Sequence, residues 1–216
     1  GIIFEYKINE NKVNFSNMLE SILKNRGIDK VREFLNPSES HVESIHLYDN
    51  VDIAVENILN HLKEDSEISI VVDEDADGYT SFATIYQYLC DLKIHFNSKS
   101  KLTYLVHSSK KHGLTEEMMR KIEQVKPNLV IIPDASSNDY EQHFQLHKKN
   151  IDIIVLDHHE AEKYSEYAIV INNQLSVRVT NKTLTGVGIV YKFCKHIDEK
   201  LSLNFADKYL DLVSIG

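Results

Sequence analysis

From residue 67 onward, short apolar runs alternate with segments whose apolar residues recur at helical spacing. The apolar runs, rich in β-branched residues, predict strands over 68–72, 102–106, 129–132 and 151–156, with a weaker strand over 167–171. The helical spacing predicts helices near 79–92, 115–125, 139–149, 187–199 and 204–213. Strands that alternate with helices in this way are typical of an α/β domain with a mostly parallel sheet flanked by helices.

Residues 1–12 are polar and irregular apart from Ile2-Ile3-Phe4, and helical patterns follow them up to residue 66. Apolar residues from Met18 onward predict a helix that ends near Gly27, and a second helix over 28–35 is expected to stop at Asn36-Pro37. A third helix is predicted over 51–62, capped by Asp49 or Asn50. We therefore predict a helical N-terminal extension over residues 1–66 and an α/β domain over 67–216.

Composition narrows the class of protein. Of the 216 residues, 42% are hydrophobic and 26% charged, which is ordinary for a globular protein, and no apolar run approaches the length of a membrane span. No secretory signal is visible, and Cys90 and Cys194 lie among apolar residues of predicted helices without metal spacing, so we expect a cytoplasmic protein with no membrane partner. The net charge of −9 argues against a general nucleic-acid-binding surface. A metal-dependent nuclease remains open, because bound cations reverse the local sign of charge.

Charged residues follow three of the predicted strands, each at the point where the strand ends. Residues 73–77 (Asp-Glu-Asp-Ala-Asp) follow the first strand, Asp134 follows the third, and residues 157–159 (Asp-His-His) follow the fourth. Because the carboxyl ends of parallel strands lie along one edge of a sheet, we expect these clusters to converge. A solvated acidic turn is the alternative for residues 73–77 taken alone.

The residue types at these strand ends favour a particular metal chemistry. Several carboxylates with one or two imidazoles suit Mn²⁺, with Mg²⁺ as the alternative, and without cysteine ligands structural zinc is disfavoured. Two such ions, roughly 3.5–4 Å apart, activate water and stabilise the leaving oxygen in phosphoester hydrolysis. Of two adjacent histidines, one can ligate a metal while the other faces the substrate as a charge donor or general acid.

The ordered set resembles the DHH phosphoesterase superfamily in its RecJ-like form. Residues 73–81 (Asp-Glu-Asp-Ala-Asp-Gly-Tyr-Thr-Ser) resemble the first motif, residues 157–159 match the triplet that names the superfamily, and residues 184–192 resemble its glycine-containing helix start. The sequence differs from the family's motifs at two places. Glu74 stands where an aromatic residue is common, and the second motif reads Asp134-Ala135-Ser136 rather than Asp-x-Gly.

The resemblance implies a role for each residue of the site. The ligands of two Mn²⁺ or Mg²⁺ ions would be Asp75, Asp77, Asp134 and His158. Asp134 would bridge the ions, and Asp73 would support or complete the first metal site. Asp157 would orient the neighbouring histidine, and His159 would face the scissile phosphate.

Substrate contacts are expected at two further places. Basic residues follow the second strand, where a solvated loop is the alternative: Lys110, Lys111 and His112. Gly186 and Gly188 resemble a phosphate-binding turn at a helix start. The remaining histidines show no shared spacing and are interpreted as surface or core residues: His41, His46, His61, His95, His107, His143, His147 and His196.

The resemblance further implies a 5′→3′ exonuclease that hydrolyses single-stranded DNA in recombination and repair. Candidate protein partners are a helicase or a single-strand-binding protein. The alternatives are another DHH hydrolase, which would act on short oligonucleotides, cyclic dinucleotides or pyrophosphate, and a non-catalytic replication scaffold.

The ends of the chain lead to one more expectation. The chain begins with Gly1 rather than Met and stops at Gly216 within an apolar segment, which suggests a piece of a longer protein. Residues 209–216 resemble the fourth motif of the family, in which another metal-binding aspartate follows this glycine, and the family's second, substrate-binding domain is absent. We therefore expect the isolated fragment to fold but to be weakly active or inactive.

Overall fold

The computed structural model describes residues 18–36, 38, 42–108 and 111–216. Five strands form one sheet in the order β2-β1-β3-β4-β5, and each neighbouring pair is parallel. The strands are β1 (Glu67–Val72), β2 (Lys101–Val106), β3 (Leu129–Pro133), β4 (Asp152–Asp157) and β5 (Ile169–Asn172). The predicted α/β fold with a parallel sheet is confirmed, including the weak fifth strand.

Contacts divide the chain into two compact units, Gly1–Glu43 and Ser44–Gly216. In the first unit the structure describes α1 (Met18–Asn25) and α2 (Val31–Leu35). The second unit carries α3 (Val51–Lys63), α4 (Ala76–His95), α5 (Glu116–Val125), α6 (Tyr140–His147), α7 (Gly186–Leu201) and α8 (Leu210–Val213). Pro37, the predicted stop of α2, lies outside the described residues, and the domain boundary at residue 66 stays a prediction.

The two faces of the sheet pack against different helices. Ile154 and Leu156 of β4 join the core that includes α3, α4 and α7, whereas Ile153 and Val155 join the core that includes α5 and α6. Burial on both faces explains why the strands are apolar at nearly every position. Each fully buried aliphatic side chain stabilises the fold by about 1.5–3 kcal/mol, so the sheet is a rigid support for the residues at its edge.

Helix α4 begins at Ala76, three residues before the predicted start at 79. Asp75 is its N-cap residue, and Oδ1 of Asp75 accepts a hydrogen bond from the Gly78 N–H at 2.8 Å. Such a cap is worth about 1 kcal/mol. A Cβ on Gly78 would lie 2.7 Å from the backbone oxygen of Asp73, so glycine lets the first turn approach the end of β1. Asp77 therefore lies on the helix and not in the preceding turn.

The last predicted helix, 204–213, is divided in the structure. A 3-10 helix over Ala206–Tyr209 precedes the short α8. No helix in the described part of the chain is both long and apolar enough to span a membrane.

Candidate active site and metal centre

Polar residues mark the end of every strand at one edge of the sheet. Asp73, His107 and Asp134 directly follow β1, β2 and β3, while Asp157 and Asn172 are the last residues of β4 and β5. The parallel register aligns these ends, because Val72 pairs with Val106 and Asp157 with Asn172. The structure thus brings together the three clusters that the sequence places at strand ends.

Asp134 is the buried carboxylate of this edge, with 3% of its surface exposed. Nε2 of His158 lies 3.1 Å from its Oδ1, and that oxygen has no well-aligned hydrogen-bond donor among the described residues. Burial raises the pKa of Asp134 to about 6, with His158 opposing the shift and the charges of Asp77 and Asp75 adding to it. A carboxylate oxygen in this condition suits a cation as its partner.

Asp77 joins Asp134 to the start of helix α7. Its Oδ2 accepts the Gly186 N–H at 2.8 Å and its Oδ1 accepts the Val187 N–H at 2.7 Å. The partial positive charge of the helix N-terminus favours this contact. The same Oδ2 lies 3.7 Å from Nε2 of His158, so Asp77, Asp134 and His158 form one group.

The two glycines predicted to contact substrate are both buried at this helix start. A Cβ on Gly186 would lie 2.3 Å from Oδ1 of Asp134, and a Cβ on Gly188 would lie 2.6 Å from Cδ1 of Leu184. Gly186 therefore admits the Asp134 carboxylate, and Gly188 admits a leucine side chain. The contacts that the structure shows for both are internal, and their substrate role stays a prediction.

Asp157 holds the second histidine of the triplet. Its Oδ1 accepts the backbone N–H groups of His158 at 2.7 Å and His159 at 3.2 Å, and it lies 2.8 Å from Nδ1 of His159. Burial by itself would raise the pKa of Asp157, but donors from His159 and Ser137 outweigh it and hold that pKa below its ordinary value. The hydrogen bond to Asp157 raises the pKa of His159 to about 9 against the effect of burial. His159 is therefore a cation at neutral pH, with 59% of its side chain exposed.

Ligand atoms of Asp134, His158 and His159 all lie within 4.8 Å of one another, which is close enough to share an ion. Among the residues predicted to bind metal, Asp75 is set apart. One of its oxygens caps α4, and the other lies 3.9 Å from Nδ1 of His112. Asp75 thus faces a second group of residues, around Asp73.

Asp73 is 1% exposed, and its two oxygens face different partners. Oδ1 accepts the Gly113 N–H at 3.1 Å and lies 3.3 Å from Nε2 of His107, while Oδ2 lies 3.2 Å from Nδ1 of His112. Burial raises the pKa of Asp73, and these partners oppose the rise. The sequence interpretation missed His107, although its position directly after a strand was the signal that identified the other clusters.

The basic residues predicted after β2 take different places. His112, expected to contact phosphate, lies beside two carboxylates, with its Nδ1 3.2 Å from Oδ2 of Asp73 and 3.9 Å from Oδ2 of Asp75. Lys111 is exposed, and Lys110 lies outside the described residues. The substrate role of these residues stays a prediction.

Asn172 and Gln174, which follow the triplet in the chain, hold its backbone in place through hydrogen bonds. Nδ2 of Asn172 donates to the His159 carbonyl at 2.9 Å and to Oγ of Ser137 at 2.8 Å. Nε2 of Gln174 donates to the His158 carbonyl at 3.1 Å. Sequence reasoning missed both, although Asn172 again marks the end of a strand.

Comparison with known proteins gives relatives along nearly the whole chain. The family model described as DHH family, N-terminal domain, matches residues 67–216. The putative SPbeta prophage-derived single-strand DNA-specific exonuclease YorK of Bacillus subtilis (strain 168) is 44% identical over 213 residues, which are 98% of this chain and 35% of YorK. The single-stranded-DNA-specific exonuclease RecJ of the same organism is 27% identical, over 92% of this chain and 25% of RecJ. The chain thus spans about a third or less of these relatives.

Solved structures share the fold. A crystal structure of exonuclease RecJ bound to manganese superposes with a TM-score of 0.68 at 20% identity, covering 80% of this chain and 43% of that one. RecJ from Thermus thermophilus in complex with Mn²⁺ gives a TM-score of 0.69 at 21% identity, covering 88% of this chain and 26% of that one. Together with the match over residues 67–216, the predicted membership is confirmed: the chain belongs to the DHH family.

Proposed function

We propose that this protein is a divalent-metal-dependent nuclease that hydrolyses single-stranded DNA from the 5′ end. The observation that carries the proposal is the buried Asp134 carboxylate, which faces His158 and lacks an aligned donor on Oδ1. The names of the relatives support the substrate, because YorK and RecJ of Bacillus subtilis are both named as single-strand-specific exonucleases. Manganese in the two RecJ structures supports the metal.

The donor set fits hard or borderline divalent ions. Carboxylates and an imidazole are ligands that Mn²⁺ accepts, and the negative charges of Asp77 and Asp75 beside the buried Asp134 favour a cation. We assign the ions to Asp75, Asp77, Asp134 and His158. Asp134, the most buried of the four, is the proposed shared ligand. When bound, two such ions supply an activated water and stabilise the leaving oxygen.

The chain's own residues bind and orient the phosphodiester. His159 presents a positive charge at the exposed side of the site, which attracts a phosphate and places a proton donor near it. Asp157 keeps the His159 ring in place through Nδ1, so the proton available for transfer to the leaving oxygen is on Nε2. Asp73 positions the segment that carries His112 and Gly113 beside the same edge.

The alternatives have less support. A non-catalytic scaffold is expected to lose metal ligands, whereas each of the four assigned ligands is present in this sequence. No feature of the described residues favours pyrophosphate or a cyclic dinucleotide over a DNA strand. The named relatives favour single-stranded DNA.

The test is a nuclease assay on the natural full-length protein. Single strands labelled at either end and blunt duplexes are incubated with Mn²⁺ or with a chelator. We expect metal-dependent release from the 5′ end of single strands. Asp134→Asn should lower the rate by more than about tenfold, because losing a charged ligand costs on the order of a few kcal/mol.

A matched control is Asp29→Asn, an exposed carboxylate in the first unit, which should leave the rate unchanged. Equal rates on blunt duplex and single strand, hydrolysis of pyrophosphate alone, or activity that survives the chelator would contradict the proposal.

A further inference from the structure

A second group of potential metal ligands lies outside the strand-end edge. His46, on a 3-10 helix (Ile45–Leu47), meets His196 and Glu199 of α7, and their ligand atoms all lie within 4.8 Å of one another. Nε2 of His46 is 3.5 Å from Oε2 of Glu199, and Nδ1 of His196 is 3.9 Å from the same oxygen. His196 comes ten residues after Gly186, which places it about 15 Å along α7 from the candidate active site.

His196 has one ring nitrogen paired and the other unpaired. Its side chain is 1% exposed, and Nδ1 has no hydrogen-bond partner among the described residues. Nε2 lies 2.8 Å from Oδ1 of Asp52, which Lys200 also contacts at 2.6 Å. Lys200, and after it His196, lowers the pKa of Asp52 to about 2, so Asp52 is an anion that accepts the Nε2–H. The Nδ1 lone pair is then left on the side of Glu199.

This arrangement is typical of histidines that bind metals. A ligating histidine usually donates its other ring N–H to a carboxylate, which fixes the tautomer and the ring orientation. An unpaired polar atom in a buried side chain otherwise costs free energy, because it has lost water without gaining a partner. A cation between Nδ1 of His196 and Glu199 would satisfy that atom.

The other two ligands are also held in place. Ile45, directly before His46, and Tyr48, two residues after it, are buried, and Oγ of Ser44 accepts the His46 N–H at 3.3 Å. Glu199 follows His196 by one helical turn and so lies on the same face of α7. The ring of His46 packs edge-on against that of His196, with centroids 4.6 Å apart.

We propose that His46, His196 and Glu199 bind one zinc ion, with a fourth position open to water. Zinc bonds of 2.0–2.2 Å in a tetrahedron separate the ligand atoms by about 3.3–3.6 Å. The observed separations of 3.5 and 3.9 Å to Glu199 are close to that range, so only a small adjustment is required. Two imidazoles with one carboxylate favour zinc over Mg²⁺ or Mn²⁺. The ion would join the 3-10 helix to α7 and stabilise the folded chain.

The alternative is an ordinary ion pair between protonated His46 and Glu199. Both side chains are more than half exposed, so such a pair would contribute little to stability. It would also leave Nδ1 of His196 without a partner. The two interpretations differ in one measurable property, which is whether zinc binds here.

The test uses the tag-free chain with Asp75→Asn and Asp134→Asn, which disable the proposed active-site ions. Calorimetric titration with Zn²⁺ should give one ion per chain at micromolar or tighter Kd, and Co²⁺ should give the intense visible absorption of a tetrahedral site. His46→Asn and Glu199→Gln should each weaken zinc binding at least tenfold and abolish the Co²⁺ band. Asp52→Asn should weaken it by roughly 10–100-fold through loss of the hydrogen bond that orients His196.

Matched controls are His95→Asn and Glu166→Gln, which are exposed residues and should leave zinc binding unchanged. His46 and Glu199 are themselves exposed, so their variants are expected to fold, which circular dichroism checks. Failure to bind zinc in the disabled chain, or zinc binding that His46→Asn and Glu199→Gln leave intact, would overturn the proposal. These readouts require no nuclease activity, so they stand apart from the test of the proposed function.

Discussion

Two buried aspartates at the same edge of the sheet have opposite surroundings. We call Asp73 with His107, His112 and Gly113 the closed group, because both Asp73 oxygens have partners in the protein. We call Asp134 with Asp77 and His158 the open group, because Oδ1 of Asp134 has no aligned donor in the described part of the chain. Both aspartates are almost fully buried, and burial raises the pKa of each.

Burial by itself therefore does not identify a metal ligand. A buried carboxylate with several donors is already compensated and serves to position its neighbours. A buried carboxylate with an oxygen that lacks an aligned donor retains an electrostatic cost that a cation can remove. The open group is thus the stronger candidate for direct metal binding, and the closed group is the stronger candidate for support.

The largest expected effect is the stabilisation of the protein by Mn²⁺, which should depend on the open group and not on the closed group. Saturating Mn²⁺ should raise the free energy of unfolding by about 3 kcal/mol at one hundred times Kd. Asp134→Asn should abolish this increase, because the shared ligand is lost, whereas Asp73→Asn should retain most of it. Thermal unfolding of the three proteins with and without Mn²⁺ measures the effect.

Without metal, the two substitutions should have different effects on the free energy of unfolding. Asp73→Asn should destabilise the chain by about 1–3 kcal/mol because its donors lose a charged acceptor, and Asp134→Asn should be neutral or stabilising.

If Asp73→Asn removes the stabilisation by Mn²⁺ as completely as Asp134→Asn does, the distinction between the open group and the closed group fails.

The next effect concerns the glycine that admits the Asp134 carboxylate. Gly186→Ala places a methyl group against Asp134 and should destabilise the protein by about 1–3 kcal/mol through overpacking, while also weakening Mn²⁺ binding. Gly188→Ala, two residues further along α7, is the matched control. Its methyl group meets Cδ1 and Cγ of the Leu184 side chain rather than the Asp134 carboxylate. Equal Mn²⁺ affinities in the two variants, measured by titration, would show that Gly186 does not shape the open group.

The smallest effect is a pH dependence at His159. Its folded pKa of about 9 exceeds the ordinary 6.5, so its contribution to stability is fully present below pH 6.5 and is lost as pH rises through about 9. Because the side chain is more than half exposed, solvent reduces the contribution. Urea unfolding across this range should show a decline that His159→Gln removes. A decline of the same size in the variant would mean that another group titrates.

Several residues of the candidate site could be predicted because they directly follow an apolar run. Apolar runs marked the strands, and the first charged residue after each run identified Asp73, Asp134 and Asp157. A broader rule, which takes the first polar residue after each run, would also have found His107 and Asn172. A single histidine or asparagine is a weaker chemical signal than a carboxylate, because a carboxylate carries a full negative charge.

Other features were outside the reach of a sequence pattern. The bonds from Asp77 to Gly186 and Val187 join residues more than one hundred positions apart, so no local spacing reports them. The early start of α4 depended on the Asp75 side chain accepting the Gly78 N–H, a local competition that periodicity does not describe. His46 and His196 also looked unrelated until the fold placed them together.

Local periodicity and the order of motifs were enough to specify the parallel α/β fold, the family and the strand ends that carry the chemistry. Which of the buried carboxylates has its oxygens satisfied, and which does not, became visible only in three dimensions. That division depends on whether a distant segment brings a donor: the Gly113 N–H reaches Asp73, whereas no aligned donor among the described residues reaches Oδ1 of Asp134. Hydrogen bonding and burial are properties of neighbours in space, and a one-dimensional pattern does not contain them.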